Sequence, residues 1–137
     1  MNSLDTDILY YAANRSCPEH APAREVLDQL RREPRAWIVA DQVLHEFYRL
    51  VRNPRVVERP LGAVEAAKYL RLCREELGCL HCACDQRLFP RVLSLLQADS
   101  FAPSRTLDAV LAVTLADSGV KTLYTRNVRD SAGYGRF

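Results

Sequence analysis

The chain has 137 residues, 48% hydrophobic and 26% charged, which fits one globular domain over 1–137 and excludes a disordered or collagen-like chain. Nineteen basic and seventeen acidic residues leave a net charge of +2, which excludes a strongly basic protein that clamps nucleic acid over its whole surface. The apolar runs are too short to span a bilayer and no signal core follows the N-terminus, so we expect a cytoplasmic protein without membrane association. Five cysteines, an odd number, agree with a reducing compartment.

Apolar periodicity, punctuated by prolines and glycines, predicts strands and helices that alternate along the chain. Thr106 is expected to cap the last helix, and Gly78 to end the long helix in the middle of the chain. In chain order we predict a strand at 1–4, helices at 7–14 and 22–32, a strand at 36–40, helices at 41–52 and 62–77, a strand at 80–84, helices at 87–97 and 106–117, and a strand at 121–124.

This alternation predicts an α/β fold in which a parallel sheet of four strands carries helices on both faces. In such folds ligands bind at the carboxyl ends of the strands. The acidic and amide residues that follow the predicted strands are therefore the first candidates for a functional site.

Three acidic residues stand out, and each also has an ordinary structural explanation. Asp5 follows the first strand, where it could simply cap the next helix. Glu46 borders the apolar stripe of its helix, so it needs a cation, a proton or a donor, and Arg49 three residues on could supply one. Asp108 lies in the first turn of its helix, where a negative charge suits the helix dipole.

Asn127 and Asp130 follow the last strand, where both are common turn residues. Neighbouring parallel strands can bring all these groups into one cleft. Clustered carboxylates repel each other unless a divalent cation holds them, and ligation by oxygen alone suits Mg²⁺ or Mn²⁺. Such ions activate water for phosphodiester hydrolysis.

Four segments that carry these residues resemble, in order and spacing, the motifs of PIN-domain ribonucleases of the VapC type. They read LDTDILYYA at 4–12, QVLHEFYRL at 42–50 followed by NPRV at 53–56, LDAVLA at 107–112 and LYTRNVRD at 123–130. The resemblance covers nearly the whole chain. It implies a three-layer PIN-like domain with four strands and a fifth that is short or absent. It also implies a Mg²⁺- or Mn²⁺-dependent endoribonuclease toxin, a homodimer, an RNA substrate and a cognate antitoxin that blocks the site.

Matched residue by residue, the resemblance makes Asp5, Glu46 and Asp108 the acidic, metal-holding core, with Asn127 as the fourth catalytic position. Many relatives have Asp where this chain has Asn127, so Asp130 stays open as the alternative. The residues that match supporting positions are Thr6, Asp7, Thr125 and Asp130, with Asp7 standing where Asn is usual.

Two further patterns have competing interpretations. Arg49, Arg52 and Arg55 follow Glu46 and could bind RNA phosphates, although a solvated basic surface explains them equally well. The spacing Cys79-x-x-Cys82 is compatible with zinc. No second pair exists, and Cys82 and Cys84 would alternate on a strand as small core residues, so we favour the core interpretation.

Two other functions compete with the nuclease. Asp5-x-Asp7 matches the start of the haloacid-dehalogenase motif of aspartate-nucleophile phosphatases, but Leu9 stands where that motif needs Thr or Val. The other alternative is a non-catalytic PIN-like module that binds RNA or an antitoxin, which the neutral Asn127 favours. Independently of these, the aromatic residues of the early helices predict apolar surface for a dimer: Tyr10, Tyr11, Phe47 and Tyr48.

Overall fold

The structure is a computed structural model and describes residues 1–127. Its four strands are β1 (Asn2–Leu4), β2 (Ile38–Ala40), β3 (Leu80–Cys82) and β4 (Thr122–Tyr124). Its α-helices are α1 (Thr6–Ala13), α2 (His20–Arg32), α3 (Asp41–Val51), α4 (Ala63–Arg71), α5 (Phe89–Leu96) and α6 (Thr106–Asp117). The predicted alternation of strands and helices is therefore confirmed over this part of the chain. The fifth strand that the resemblance left open would lie outside the described residues.

All four strands are parallel, but they form two pairs rather than one continuous sheet. β1 pairs with β4, with Leu4 opposite Tyr124, and β2 pairs with β3. A single parallel bridge between Asn2 and Trp37 connects the pairs, which gives the spatial order β4-β1-β2-β3. The predicted four-stranded sheet is interrupted at its centre because each strand is only three residues long and offers few ladder bonds.

The core lies where the strands meet α1, α2, α3 and α6. Trp37 and Phe47 are among its largest fully buried side chains, and the Trp37 ring lies 5.0 Å from that of Tyr124. Because Phe47 is only 1% exposed, its predicted contribution to a dimer surface is wrong. A smaller apolar cluster of Leu88, Val92 and Val113 packs α5 against α6.

Most helix ends agree with the prediction, and the exceptions have local causes. Gly78 ends the long middle helix with φ +74°, a conformation that glycine adopts without a steric cost. The last part of that helix, Leu72–Glu76, is a π-helical turn. Thr106 is not the N-cap that we predicted, because Arg105 occupies that position. The Thr106 hydroxyl instead donates a 2.6 Å hydrogen bond to the Pro103 carbonyl.

The cysteine-rich segment also departs from its prediction. β3 ends at Cys82, and Cys84 is exposed beyond it, so the expectation that Cys84 is a core residue is wrong. Cys79 is buried and Cys82 is half-buried. None of the helices in residues 1–127 has the length and apolar character needed to cross a membrane.

Candidate active site

Asp5 lies at the carboxyl end of β1 and has the capping role that its position predicts. Its backbone N–H donates to the Tyr124 carbonyl at 2.9 Å, which continues the pairing of β1 with β4 by one residue. Its side chain accepts a 2.7 Å hydrogen bond from the Thr6 N–H at the start of α1. The cap orients one carboxylate oxygen and leaves the other beside the segment that follows β4.

The hydroxyl of Thr125 joins two carboxylates. Thr125 Oγ1 lies 3.2 Å from Asp5 Oδ2 and 3.3 Å from Asp7 Oδ2. The Arg126 N–H donates a further 2.8 Å hydrogen bond to Asp7 Oδ2. Asp7 Oδ1 is buried without a hydrogen-bond partner in residues 1–127. The hydroxyl has a single hydrogen, so this pair of carboxylates has fewer donors than its oxygens could use.

Burial raises the pKa of Asp5 from its usual 3.8 to about 6, and the charge of Asp7 acts in the same direction. Glu46 adds a smaller repulsion, while the hydrogen bonds from the Thr6 N–H and the Thr125 hydroxyl lower the pKa. The shared donors Thr6 and Thr125 place Asp5, Asp7 and Glu46 in one region. Such a region favours either a proton or a cation.

Glu46 lies half-buried on α3 and takes its hydrogen bonds from Thr6 and Gln42. The Thr6 hydroxyl is 3.2 Å from Glu46 Oε2, and Gln42 Nε2 is 3.0 Å from Glu46 Oε1. The simple alternative, an ion pair with Arg49, does not occur within the described residues. Donors from α1 and from the preceding turn of α3 thus hold the carboxylate toward the end of β1.

Gln42 is a residue that the sequence analysis did not single out. Its Nε2 group also donates a 2.8 Å hydrogen bond to the carbonyl of Leu107, so its two hydrogens connect Glu46 to α6. Leu107 directly precedes Asp108, and the bond therefore fixes the first turn of α6 relative to α3. No local pattern could reveal this contact, because the two residues are 65 positions apart.

Asp108 lies in the first turn of α6, directly after the Leu107 carbonyl that Gln42 binds. Its side chain is 49% exposed, and its Oδ2 lies 3.9 Å from Arg105 Nε. Within the described 1–127, no group of three or more carboxylate, histidine or cysteine side chains is arranged to hold a metal ion. The structure thus brings Asp5, Asp7 and Glu46 together.

The two residues that follow Thr125 also contact this group of side chains. Asn127 is exposed, and its backbone N–H donates to Thr125 Oγ1 at 3.0 Å, which leaves the hydroxyl hydrogen free to face the carboxylates. Asp130, the alternative fourth position, lies outside the described residues. Arg126 is a second residue that the sequence analysis missed: its guanidinium donates to the Tyr11 hydroxyl at 2.8 Å and pairs with Glu19 at 3.0 Å.

The basic residues after Glu46 are all exposed, but they differ in their contacts. The Arg52 guanidinium donates to the Tyr48 hydroxyl at 2.8 Å and lies 5.5 Å from the centre of its ring. Arg49 instead lines a cleft of about 410 Å³ that opens beside the carboxylates. The side chains that line this cleft are Thr6, Glu46, Arg49, Leu50, Asn53 and Val56.

Parallel strands with acidic side chains at their carboxyl ends are the arrangement that the resemblance to PIN domains implies. The crystal structure of Mycobacterium tuberculosis VapC20, described as a toxin that cleaves the sarcin–ricin loop, aligns with all of this chain and 98% of its own, with a TM-score of 0.71 and 16% identity. This likeness confirms the PIN fold.

Ribonuclease VapC24 of M. tuberculosis, from strains CDC 1551 and H37Rv, is 38% identical over 136 residues, covering 98% of this chain and 92% of the relative. The chain therefore belongs to the VapC family of ribonucleases, the endoribonuclease toxins of toxin–antitoxin pairs. No protein-family model matches the sequence.

Proposed function

We propose that this ribonuclease hydrolyses RNA with a divalent cation, Mg²⁺ or Mn²⁺, held at the carboxyl ends of β1 and β4. The observation that carries the proposal is the half-buried pair Asp5 and Asp7 on the single hydroxyl of Thr125, with Glu46 close enough to add its repulsion. An excess of carboxylate over donors in a buried place disfavours the ionised site unless positive charge enters it.

The donor set fits a hard divalent cation. Every candidate ligand offers oxygen, and one buried oxygen, Asp7 Oδ1, has no protein donor in residues 1–127. Asp5, Glu46 and Asp108 would hold the ion, with Asp7 and Asn127 beside it. When bound, such an ion activates water and stabilises the charge that develops on a phosphodiester.

The protein's own groups position that chemistry. Thr125 and Thr6 fix the rotamers of Asp5 and Glu46 through hydrogen bonds from their hydroxyls. Gln42 fixes Glu46 relative to α6. The exposed guanidinium groups that are suited to bind RNA phosphates are those of Arg49, Arg52 and Arg55.

Incubation of purified protein with structured RNAs, with Mg²⁺, with Mn²⁺ or with a chelator, tests the proposal. We expect cleavage only with a cation and, by family analogy, fragments that end in a 5′-phosphate and a 3′-hydroxyl. Equal cleavage in the chelator would contradict the metal requirement. RNA binding without cleavage under every condition would instead support the non-catalytic alternative.

We also propose a cognate antitoxin and a homodimer, both on the family resemblance. Of the aromatic residues that predicted a dimer surface, Phe47 is buried, whereas Tyr10, Tyr11 and Tyr48 remain half-buried. Light scattering should give twice the chain mass of 15.6 kDa. A monomer at the highest soluble concentration would remove the dimer from the proposal.

A further inference from the structure

Arg126 directly follows Thr125, whose hydroxyl lies between two carboxylates of the proposed active site. The Arg126 backbone N–H donates to Asp7 Oδ2 at 2.8 Å, and its guanidinium donates to the Tyr11 hydroxyl, also at 2.8 Å. Asp7 and Tyr11 lie one turn apart on α1. Residue 126 therefore binds this helix at two places, one within the carboxylate group and one outside it.

Glu19 binds the same guanidinium from the start of α2. The Arg126 guanidinium pairs with the Glu19 carboxylate at 3.0 Å. Glu19 is the N-cap of α2, and Nδ1 of the next residue, His20, lies 2.9 Å from the Tyr11 carbonyl oxygen. This contact connects the start of α2 to α1. The two acceptors of the guanidinium, Tyr11 and Glu19, are therefore held in place relative to each other.

The surroundings of the guanidinium are largely apolar. Tyr11, Glu19 and Arg126 line one cleft of about 390 Å³. The apolar side chains of this cleft are Ile8, Pro22, Ala23, Val26 and Leu123. An isolated exposed ion pair contributes little. The planar Arg126 guanidinium, however, combines its ion pair with a hydrogen bond and lies 5.6 Å from the centre of the Tyr11 ring, so these interactions support one another.

The guanidinium attaches the segment after β4 to groups outside the carboxylates. The pairing of β1 with β4 ends with the bond from the Asp5 N–H to the Tyr124 carbonyl. Beyond it, Thr125 Oγ1 and the Arg126 N–H bind carboxylates, and the Asn127 N–H binds Thr125. These bonds alone would let the segment follow any rotation of the carboxylates. The attachment to α1 and α2 holds the segment in one place.

We infer that Arg126 is a positioning residue, whose guanidinium, held by Tyr11 and Glu19, fixes the orientation in which the Asp7 carboxylate would help to hold a divalent cation. The inference rests on the proposed function, because the cation itself is proposed there. In this role the guanidinium acts through the backbone of residues 125 and 126. Its positive charge by itself opposes a cation nearby, so order and charge have opposite effects on the affinity.

Calorimetric titration with Mn²⁺ in the absence of RNA separates these two effects. Arg126→Ala removes a positive charge, which by itself would tighten Mn²⁺ binding. A positioning role predicts the opposite, a dissociation constant raised about tenfold, as for other groups that orient metal ligands. Tyr11→Phe leaves the charge unchanged and removes one acceptor of the guanidinium. It should raise the dissociation constant by a smaller factor, about threefold, because Glu19 remains.

Tyr48→Phe is the matched control for Tyr11→Phe, because the Tyr48 hydroxyl accepts a 2.8 Å hydrogen bond from the Arg52 guanidinium. Arg91→Ala, which removes an exposed guanidinium paired with Asp117, is the control for the loss of charge. Both controls should bind Mn²⁺ like the parent. Unchanged or tighter binding in Arg126→Ala or in Tyr11→Phe would overturn the inference.

Hydrogen exchange of the Arg126 and Asn127 amides, followed by NMR in a chelator, separates the inference from the proposed function. Both amides should exchange faster in Tyr11→Phe than in the parent or in Tyr48→Phe, because the segment that carries them opens more often. A parent that binds no Mn²⁺ would overturn the proposed function, while faster exchange in Tyr11→Phe would still support the positioning of Asp7. A parent that binds Mn²⁺, with the same exchange and the same affinity in Tyr11→Phe, would overturn the inference alone.

Discussion

Thr125 Oγ1 lies 3.2 Å from Asp5 Oδ2, although the two residues are 120 positions apart in the sequence. The parallel pairing of β1 with β4 causes this approach, because it sets Leu4 opposite Tyr124 and so aligns the residues that follow. The same hydroxyl also reaches Asp7, and one hydrogen therefore serves two carboxylates. Because Asp5 and Asp7 repel each other, the stability of the folded chain should depend on pH, and this dependence can be measured without RNA.

We expect the contribution of Asp5 to the free energy of unfolding of the metal-free protein to fall as the pH rises from about 4 to about 7. Its pKa is about 6 in the folded chain against an ordinary 3.8, so the folded state holds a proton that the unfolded chain has released. The stabilisation that this proton provides is complete below the unfolded pKa of 3.8 and is lost as the pH passes the folded pKa of about 6. Its size is at most about 3 kcal/mol.

Denaturant unfolding in a chelator across this pH range measures the effect. Asp5→Asn should flatten the pH dependence, because the amide does not titrate. Asp28→Asn, which changes an exposed carboxylate paired with Arg31, should leave the slope of the parent. The same slope in Asp5→Asn and in the parent would show that Asp5 does not bind the proton.

The second prediction concerns Asp108, the acidic residue in the first turn of α6. Asp108→Asn should lower RNA cleavage about 100-fold or more, because a carboxylate that holds the cation contributes at least as much as the groups that orient it. The fold should be kept, since the Asp108 side chain is 49% exposed. Asp117→Asn on the same helix, at an exposed carboxylate paired with Arg91, is the control and should cleave like the parent. Cleavage at the parental rate by Asp108→Asn would remove this residue from the site.

Gln42 gives the third prediction, for a positioning role. Gln42→Ala removes the donor to Glu46 and to the Leu107 carbonyl, so the hydrogen bond from the Thr6 hydroxyl remains as the support of Glu46 and the carboxylate is held less firmly. The Mn²⁺ concentration needed for half-maximal cleavage should rise about tenfold or more. Excess Mn²⁺ should then restore most of the rate.

The control for Gln42 is Gln97→Ala, which changes an exposed glutamine at the end of α5. A purely structural role would lower the melting temperature of Gln42→Ala without changing its metal requirement. That result would contradict the positioning role.

The sequence predicted the positions of the site better than its contacts. Placing Asp5 and Thr125 at strand ends needs only the alternation of strands and helices, because parallel strands bring their carboxyl ends to one edge. The bond between Gln42 and Leu107 depends on how α3 and α6 pack, and the apolar periodicity within either helix does not predict it. Asp108 shares its helical face with apolar residues, yet half of its side chain is exposed.

Local sequence also predicted the boundaries of two short strands incorrectly. The strand predicted to reach residue 84 ends at Cys82, because pairing with β2 ends at Ala40. The strand predicted from residue 36 begins at Ile38, since Pro34–Ala36 forms a 3₁₀ turn. In both cases the partner strand or a neighbouring turn decided the boundary.

Asn127 provides the last prediction, and it concerns the affinity for the cation. Asn127 is exposed after β4, and its backbone N–H bonds to Thr125 Oγ1 at 3.0 Å, so its own position is tied to the hydroxyl that serves Asp5. Asn127→Asp should tighten Mn²⁺ binding, because a carboxylate would replace a neutral amide near the ion. Calorimetric titration of both proteins with Mn²⁺ measures the change, and Asp28→Asn serves as a control in which a remote charge is altered. Equal affinity in Asn127→Asp and the parent would mean that position 127 does not face the cation, and Asp130 would then be the better candidate for the fourth position.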